Sequence, residues 1–393
     1  MKVCDLTQFY SPLSGGVKRY VHEKIEYIQR NAPEDEHVLI VPGEKTKTVE
    51  GERSRIYSIR SPLVSRSSRY RALVNLRAVR KILEAERPDI IESADPYQIG
   101  WKSIACGKEL EIPVIAFYHS HFPEAYLRGA SKFLGKRGAQ SVMAASRSYV
   151  RRLYNRFEMT LVPSAALAGV LTEWGVQNVR QADLGVNTDR FCPAPEDSDE
   201  TRESLGIARE AKVLLYVGRL AKEKNTATLF KAFQLLEKKR PDKFQLLIIG
   251  DGPQREQLRR LQAEVPSVKW IPYCTDSMEL AGFYRAADAF VHPGTQETFG
   301  LVALESQACG TPVVGIRGSQ MDRIIFHGQD SWAAENTPEA LADAVEKFAA
   351  GDLKLLGSGA ARLAAERFAW PRVFERLFCI YREVCENYKA LSR

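Results

Sequence analysis

Short apolar runs recur along the 393-residue chain, each closed by glycine, proline or aspartate and followed by a stretch with helical periodicity. That rhythm predicts parallel strands joined by crossover helices. In the first half it places strands at 2–6 (KVCDL), 37–41, 55–59, 89–92, 113–117 and 159–162, with helices between several of them, as at 16–30 and 68–86. It restarts at 212–217 (KVLLYV) and continues at 244–249, 268–271, 288–291 and 312–315. Between the halves, residues 191–200 (FCPAPEDSDE) carry proline and acid without periodicity and read as a linker. A last helical run covers 370–390. The predicted fold class is α/β, with two domains of similar size joined once.

Composition narrows this picture. The length suits two hydrophobic cores rather than one. No run of about 18 uncharged apolar residues occurs, so no spanning helix is expected. The start, MKVCDLTQFY, enters a strand directly and lacks the apolar stretch of a secretory signal. Seven cysteines are scattered without a C-x-x-C pair, which fits a reducing cytoplasm better than a disulfide framework. The net charge of +7 is lopsided. Residues 1–190 hold 29 basic and 21 acidic residues, against 27 and 28 in the remainder. Residues 53–83 and 128–156 contain nine and eight basic residues and no acid. An anionic partner of the N-terminal half is expected.

Open parallel sheets bind ligands at the carboxyl ends of their strands, so the informative residues are those just after each strand. Gly15 and Gly16 open the first helix, where bare N–H groups attract an anion; a plain glycine turn is an equal alternative. Gly218 and Arg219, with Lys224 five residues further on, follow the strand at 212–217. Two fixed cations there would stabilise the charge that builds on a departing diphosphate. Gly250 and Gly252 follow 244–249 and leave room for a nucleoside against the backbone, although a bare turn reads the same way.

The most specific stretch is Pro293 to Pro312. Gly300 opens a short helix and Gly310 suits its stop. Glu297 precedes that helix and Glu305 lies within it, at most about 12 Å away at ~1.5 Å per residue. Carboxylates at the two ends would accept paired hydroxyl hydrogen bonds from a hexose and a ribose. The helix start between them offers N–H groups to a diphosphate. His119 and His121 follow the strand at 113–117 and suit polar contacts to sugar hydroxyls better than metal binding.

Together these residues resemble the family 4 retaining glycosyltransferases of the GT-B fold. The likeness covers nearly the whole chain. It is carried by Gly-Gly-Val-Lys-Arg-Tyr at 15–20, Val-Gly-Arg-Leu-Ala-Lys-Glu-Lys-Asn at 217–225, Gly-Val-Asn-Thr-Asp-Arg-Phe at 185–191 and the Glu-x7-Glu pattern of Glu297 and Glu305. Asn187 stands where the family usually has Asp. The resemblance implies two Rossmann-like domains whose parallel sheets face each other across a cleft. Residues 1–190 would bind the acceptor, 191–370 the nucleotide sugar, and 371–393 would form a helix crossing back to the first domain.

It further implies that Arg219 and Lys224 hold the donor diphosphate and that Glu305 holds the ribose. Glu297 with the backbone near Phe299 and Gly300 would hold the hexose, with Gly15, Gly16, Gly218, Gly252, Thr298 and Leu301 also binding the donor and His119 beside the reacting sugar. Retention would proceed on the front face, with the leaving phosphate as base. No cofactor, metal or protein nucleophile is expected.

Tyr-His-Ser-His-Phe-Pro at 118–123 looks most like members that glycosylate membrane lipids, such as sulfoquinovosyldiacylglycerol synthases and lipid mannosyltransferases. Around the basic stretch 128–156, Leu127, Phe133, Leu134, Val142, Met143, Val150, Leu153 and Tyr154 interleave with Arg and Lys. Such a face suits an anionic bilayer; a helix packed on its own sheet is the other reading. A peripheral place on the inner face of the cytoplasmic membrane follows. A polymer-making, glycogen-synthase-like enzyme, a non-catalytic sugar-nucleotide binder and a nucleic-acid binder rank lower. The last lacks any recognition motif, and no nucleic-acid partner is expected. UDP, GDP and ADP donors stay open.

Overall fold

The computed structural model describes residues 1–11, 15–64, 69–119, 122–194, 196–208, 210–295, 297, 299–319, 321, 324–326 and 331–391, without the side chains of 122–134, 136, 196 and 197. Two compact units result. One comprises Met1–Leu184 with Trp370–Arg393, the other Gly185–Ala369.

In the first unit the elements run β1 (Lys2–Leu6), α1 (Gly16–Asn31), β2 (Glu36–Gly43), β3 (Lys47–Glu50), β4 (Ser54–Arg60), α2 (Leu76–Glu86), β5 (Ile90–Ser93), α3 (Gln98–Leu110), β6 (Val114–Phe117), α4 (Phe122–Tyr154), β7 (Met159–Val162), α5 (Ala165–Glu173) and β8 (Val179–Gln181). The eight-stranded sheet has the order β3-β4-β2-β1-β5-β6-β7-β8, parallel except for β3 against β4. Its central strands are near-continuous buried apolar runs, as helices on both faces require.

The second unit runs α6 (Glu196–Ser204), β9 (Lys212–Val217), a single 3₁₀ turn (Lys222–Lys224), α7 (Thr226–Lys239), β10 (Phe244–Ile249), α8 (Arg255–Glu264), β11 (Val268–Ile271), α9 (Ser277–Ala286), β12 (Ala289–His292), α10 (Leu301–Ala308), β13 (Val313–Ile316), β14 (Trp332–Ala333), α11 (Pro338–Ala349) and α12 (Leu353–Phe368). Its order, β11-β10-β9-β12-β13-β14, is that of a Rossmann sheet. Leu214, Tyr216, Phe233, Leu246, Ile248 and Val291 belong to one buried core.

Four features differ from the sequence pattern. The helix expected from residue 68 begins at Leu76, because the Asn75 side chain caps it by accepting from the Ala78 N–H at 3.1 Å, while Leu63 and Arg71 form a bridge upstream. Strand β3 was not expected; it is an exposed edge strand with no apolar run to betray it. The edges β8 and β14 are too short for periodicity to register. Helix α6 starts inside the stretch read as linker.

The final helix, α13 (Trp370–Leu391), packs within the first unit through buried Trp370, Phe374, Phe378 and Tyr381. A polar hub lies beneath it. Lys24, with no exposed side-chain surface, reaches Asp5 at 2.9 Å and Glu92 at 3.2 Å, and donates to the Tyr381 hydroxyl at 2.9 Å. Asp5 also meets His37 at 2.6 Å. Burial pushes the Asp5 carboxyl up, but Lys24 and His37 overcome it and hold it well below the usual carboxylate range. At Glu92 burial prevails and the pKa is pushed up to about 7.

Replacing Lys24 by Met would strand two buried carboxylates beside each other. Removing one partner of a buried pair costs about 3–5 kcal/mol, so denaturant unfolding of Lys24→Met should show a loss of that order. A change below about 1 kcal/mol would mean the hub is hydrated and contributes little.

Candidate functional site

Strand β9 pairs in parallel with β12 on one side (Leu214↔Ala289, Leu215↔Phe290) and with β10 on the other (Val217↔Ile249). The three loops that leave their carboxyl ends therefore emerge side by side, at the point where the strand order reverses. This is where an open sheet offers a crevice.

The loop after β9 carries Gly218, Arg219 and, through the 3₁₀ turn, Lys224. Arg219 is 63% exposed in its side chain and pairs with Glu223 at 2.9 Å. Lys224 forms an ion pair with Glu297 from the loop after β12. Asn225, with φ +57°, clamps the two loops by donating to the Pro293 carbonyl at 2.9 Å. The structure thus joins the cationic loop and the Glu297 loop directly.

The loop after β10 lies against the same cationic loop. Leu220 N–H donates to the Asp251 carbonyl at 3.1 Å, and Gln254 N–H to that of Leu220 at 3.0 Å. A Cβ at Gly252 would overlap the backbone of Leu220, and one at Gly250 that of Gly218. Their missing side chains are first a requirement of loop packing.

Glu297 is largely covered. Burial pushes its carboxyl up, yet the hydrogen bond with His292 and the charge of Lys224 outweigh this and bring the pKa down to about 2. His292 Nε2 stands 3.5 Å from Glu297 Oε1. Thr298 lies outside the described residues. Phe299 is buried, its ring packed edge-on against Phe368 at 6.1 Å, so only its backbone is left for a ligand. Gly300 has φ +93° and precedes α10, which begins at Leu301; no side chain among the described residues caps those first N–H groups. A side chain at Gly300 would be strained at that φ and would collide with Met321. Glu305, 2% exposed, accepts a hydrogen bond from the Tyr284 hydroxyl at 3.1 Å.

The remaining residues lie in the first unit. Gly15 and Gly16 are exposed at the start of α1, with open space where a Gly15 side chain would go. His119 stacks on Phe117 (centroids 4.1 Å apart) and meets the Tyr20 ring edge-on at 5.0 Å. Burial and the Lys24 charge bring its pKa down to about 3, so the imidazole is neutral. Its Nε2 has no partner among the described residues. His121 lies outside them.

The membrane-facing stretch needs correction. Val150, Leu153 and Tyr154 belong to the buried core of the first unit, because the last turns of α4 pack on the sheet. Leu127, Phe133 and Leu134 fall among side chains outside the description. Arg137, Arg147, Arg151, Arg152 and Arg156 are exposed, with Arg147 over the Trp174 ring at 5.5 Å and Arg152 over Trp101 at 5.8 Å.

Sequence reasoning missed His292 and Tyr284, and gave Asn225, the last residue of the 217–225 motif, no role of its own. His292 had a readable signal, a polar residue closing the apolar strand AFVH. Tyr284 had none, since its partner arrives from another helix.

A family model described as glycosyl transferases group 1 matches residues 197–356, and one described as glycosyltransferase family 4 matches 14–190. A GDP-mannose-dependent alpha-(1-6)-phosphatidylinositol dimannoside mannosyltransferase of Mycobacterium tuberculosis is 32% identical over 378 residues, covering 95% of this chain and 93% of the relative. A sulfoquinovosyl transferase of Arabidopsis thaliana is 32% identical over 248 residues, 62% of this chain and 46% of the relative. Among solved structures, sucrose-phosphate synthase from Thermosynechococcus elongatus superposes with a TM-score of 0.73 at 21% identity, covering 98% of each chain. That similarity speaks for the fold, GT-B.

Glu297 supplies a pH signature. Its folded pKa of about 2 lies below the ordinary 4.5, so it adds stability above pH 4.5 that is lost as the pH falls toward 2. The shift corresponds to no more than about 3 kcal/mol. Acid unfolding of wild type and Glu297→Gln should therefore differ most near neutrality and converge near pH 2. A gap independent of pH would mean that Glu297 is not held by Lys224 and His292.

Proposed function

The chain belongs to glycosyltransferase family 4, and from that premise we propose that it moves a hexose from a nucleoside-diphosphate sugar to a hydroxyl of a membrane lipid or glycolipid, with retention at the anomeric carbon and without a metal ion. One observation carries the donor half of this reading. At the β9/β12 switch point the loop bearing Arg219 and Lys224 is tied to the loop bearing Glu297, directly before the start of α10, whose first N–H groups no side chain among the described residues caps.

Arg219, Lys224 and the first N–H groups of α10 hold the diphosphate. Glu305 takes the ribose hydroxyls, and Glu297 with the backbone of Phe299 and Gly300 takes the hexose. In transfer, the bond from the anomeric carbon to the diphosphate oxygen breaks and a bond to the acceptor oxygen forms on the same face. The acceptor hydroxyl proton passes to the departing phosphate. Charge accumulates on that phosphate as the bond stretches, so cations placed there favour the transition state over the intact donor. The cations come from the protein, which is why no metal is invoked. His119, neutral and with an Nε2 that has no partner among the described residues, suits a hydrogen bond to a sugar hydroxyl.

The long match to an enzyme named for GDP-mannose and a phosphatidylinositol mannoside favours a GDP-linked hexose and an inositol-lipid acceptor. The exposed arginines of α4 support an anionic surface as partner. Beside them a groove of about 500 Å³ is lined by Arg147, Arg151, Glu173 and Trp174. Each such arginine adds about 1 kcal/mol near anionic lipid. No helix among the described residues is long and apolar enough to cross a membrane. The contact proposed is attachment to the surface of the cytoplasmic face.

GDP should raise the melting temperature more than UDP or ADP. With GDP-mannose and phosphatidylinositol vesicles, the sugar should appear in the organic extract. Arg219→Ala and Glu305→Gln should each lower turnover about 100-fold or more, with wild-type circular dichroism. Near-normal turnover in both would end the donor assignment, and sugar found only in water-soluble product would end the lipid one.

A further inference from the structure

Two rings pack against the His119 imidazole among the described residues. Phe117 lies flat against its face, the planes 4° apart, and Tyr20 meets it edge-on at 65°. Phe117 ends a buried strand and is fixed by the sheet. Tyr20 is on α1; its ring packs against Phe117 and Trp370, and its polar end enters the hub under the last helix. Its hydroxyl donates to Glu92 at 3.2 Å, and the Lys24 ammonium sits 4.4 Å from its ring centroid. Lys24 and Glu92 are in turn both held by one atom of α13, the Tyr381 hydroxyl, which accepts from Lys24 and donates to Glu92. Phe374, also on α13, packs against the Tyr20 ring at 5.7 Å.

We infer that Tyr381 is a positioning residue for His119, acting through Lys24 and Glu92 on Tyr20. The inference rests on the reading of His119 as a sugar-contacting group, and it adds a working part to a helix that otherwise only covers the unit. The physical case is one of over-determination. A buried tyrosine ring with a single hydroxyl bond can rock about that bond. A cation above its face and a shared carboxylate remove that freedom, provided Lys24 and Glu92 stay in register with each other. The Tyr381 hydroxyl is the group that bonds to both. Losing it leaves the ammonium short of an acceptor and the carboxylate short of a donor, and the cheapest relief is movement of the mobile ammonium off the Tyr20 face. His119 then loses its edge contact. A displacement near 1 Å at a reacting centre costs on the order of 100-fold, so a fraction of that shift costs about tenfold.

The test is first spectroscopic, and so independent of substrate. The imidazole Cε1–H resonance of His119 is identified by its disappearance in His119→Ala. Tyr381→Phe keeps the ring and removes only the hydroxyl. It should move that resonance, while Arg382→Ala, which removes the neighbouring pair with Asp35 at 3.0 Å on the same helix, should not. An unmoved His119 resonance in Tyr381→Phe, or an equal movement in Arg382→Ala, overturns the inference. The second arm is a double-mutant cycle in GDP-mannose turnover with phosphatidylinositol vesicles. Tyr381→Phe should lower kcat about tenfold with unchanged donor KM in wild type, and have little further effect in His119→Ala. Full additivity overturns the coupling. Normal turnover by His119→Ala would instead remove the role of His119 itself, which keeps the two failures apart.

Discussion

The parallel pairing of β9 with both β10 and β12 is the constraint on which the candidate donor site depends. A parallel ladder fixes not only which strands are neighbours but also that their carboxyl ends lie on one edge. Three loops separated by tens of residues in sequence are thereby delivered to one place, and none can withdraw without breaking a ladder buried in the core of the second unit. The bonds between the loops are consequences of that delivery: Asn225 to Pro293, Leu220 to Asp251, Lys224 to Glu297. They trim the geometry but do not create it.

Within the site, both cations already have carboxylate partners, and the two pairs differ in kind. Arg219–Glu223 lies on the surface between residues four apart, a type of pair worth about 0–1 kcal/mol, so the guanidinium can turn to a phosphate at little cost. Lys224–Glu297 is more covered and is reinforced by His292. It keeps Glu297 ionised across the whole physiological range and holds Lys224 against the loop that follows β12. A diphosphate arriving there need not displace the pair, because an ammonium has three donors. The arrangement orients both groups in advance, and preorientation lets fixed charge act on a transition state without reorganisation.

Much of this was legible in the chain. Glycine and proline punctuation after apolar runs located all but β3, β8 and β14 of the described strands to within a residue or two, because burial on both faces leaves a run unbroken by polar residues. The cationic loop and the two glutamates stood out because each follows such a run. What escaped reading depends on long-range packing. The exposed strand β3 has no apolar signal, and the glycines at 250 and 252 look like room for a nucleoside until Gly218 and Leu220 are seen against them. Tyr284 on Glu305 and Tyr381 on Lys24 are pairs joined across the core, and no local spacing encodes them. The apolar residues of α4 misled in the opposite direction. Their interleaving with arginine looks like a membrane face, yet Val150, Leu153 and Tyr154 are spent on the core of the unit.

The buried hub of the first unit raises the question of why such an arrangement persists at all. Burying an ammonium with two carboxylates and a histidine is often no better for stability than apolar packing of the same volume. Stability alone therefore gives no reason to retain Lys24, Asp5, Glu92 and His37 where leucine and phenylalanine would serve. What charges supply and apolar groups do not is direction. An ammonium hydrogen-bonded to two acceptors and paired with a second carboxylate has a fixed orientation, and it passes that orientation to each element that contributes a partner: β1 through Asp5, β5 through Glu92 and the last helix through Tyr381. Tyr20 lies over that ammonium and under His119, so the element farthest along the chain is connected by uninterrupted contact to a histidine at the end of β6. A core of leucine could hold the same helix in place, but it would leave the tyrosine ring, and with it the imidazole, free to settle in more than one way.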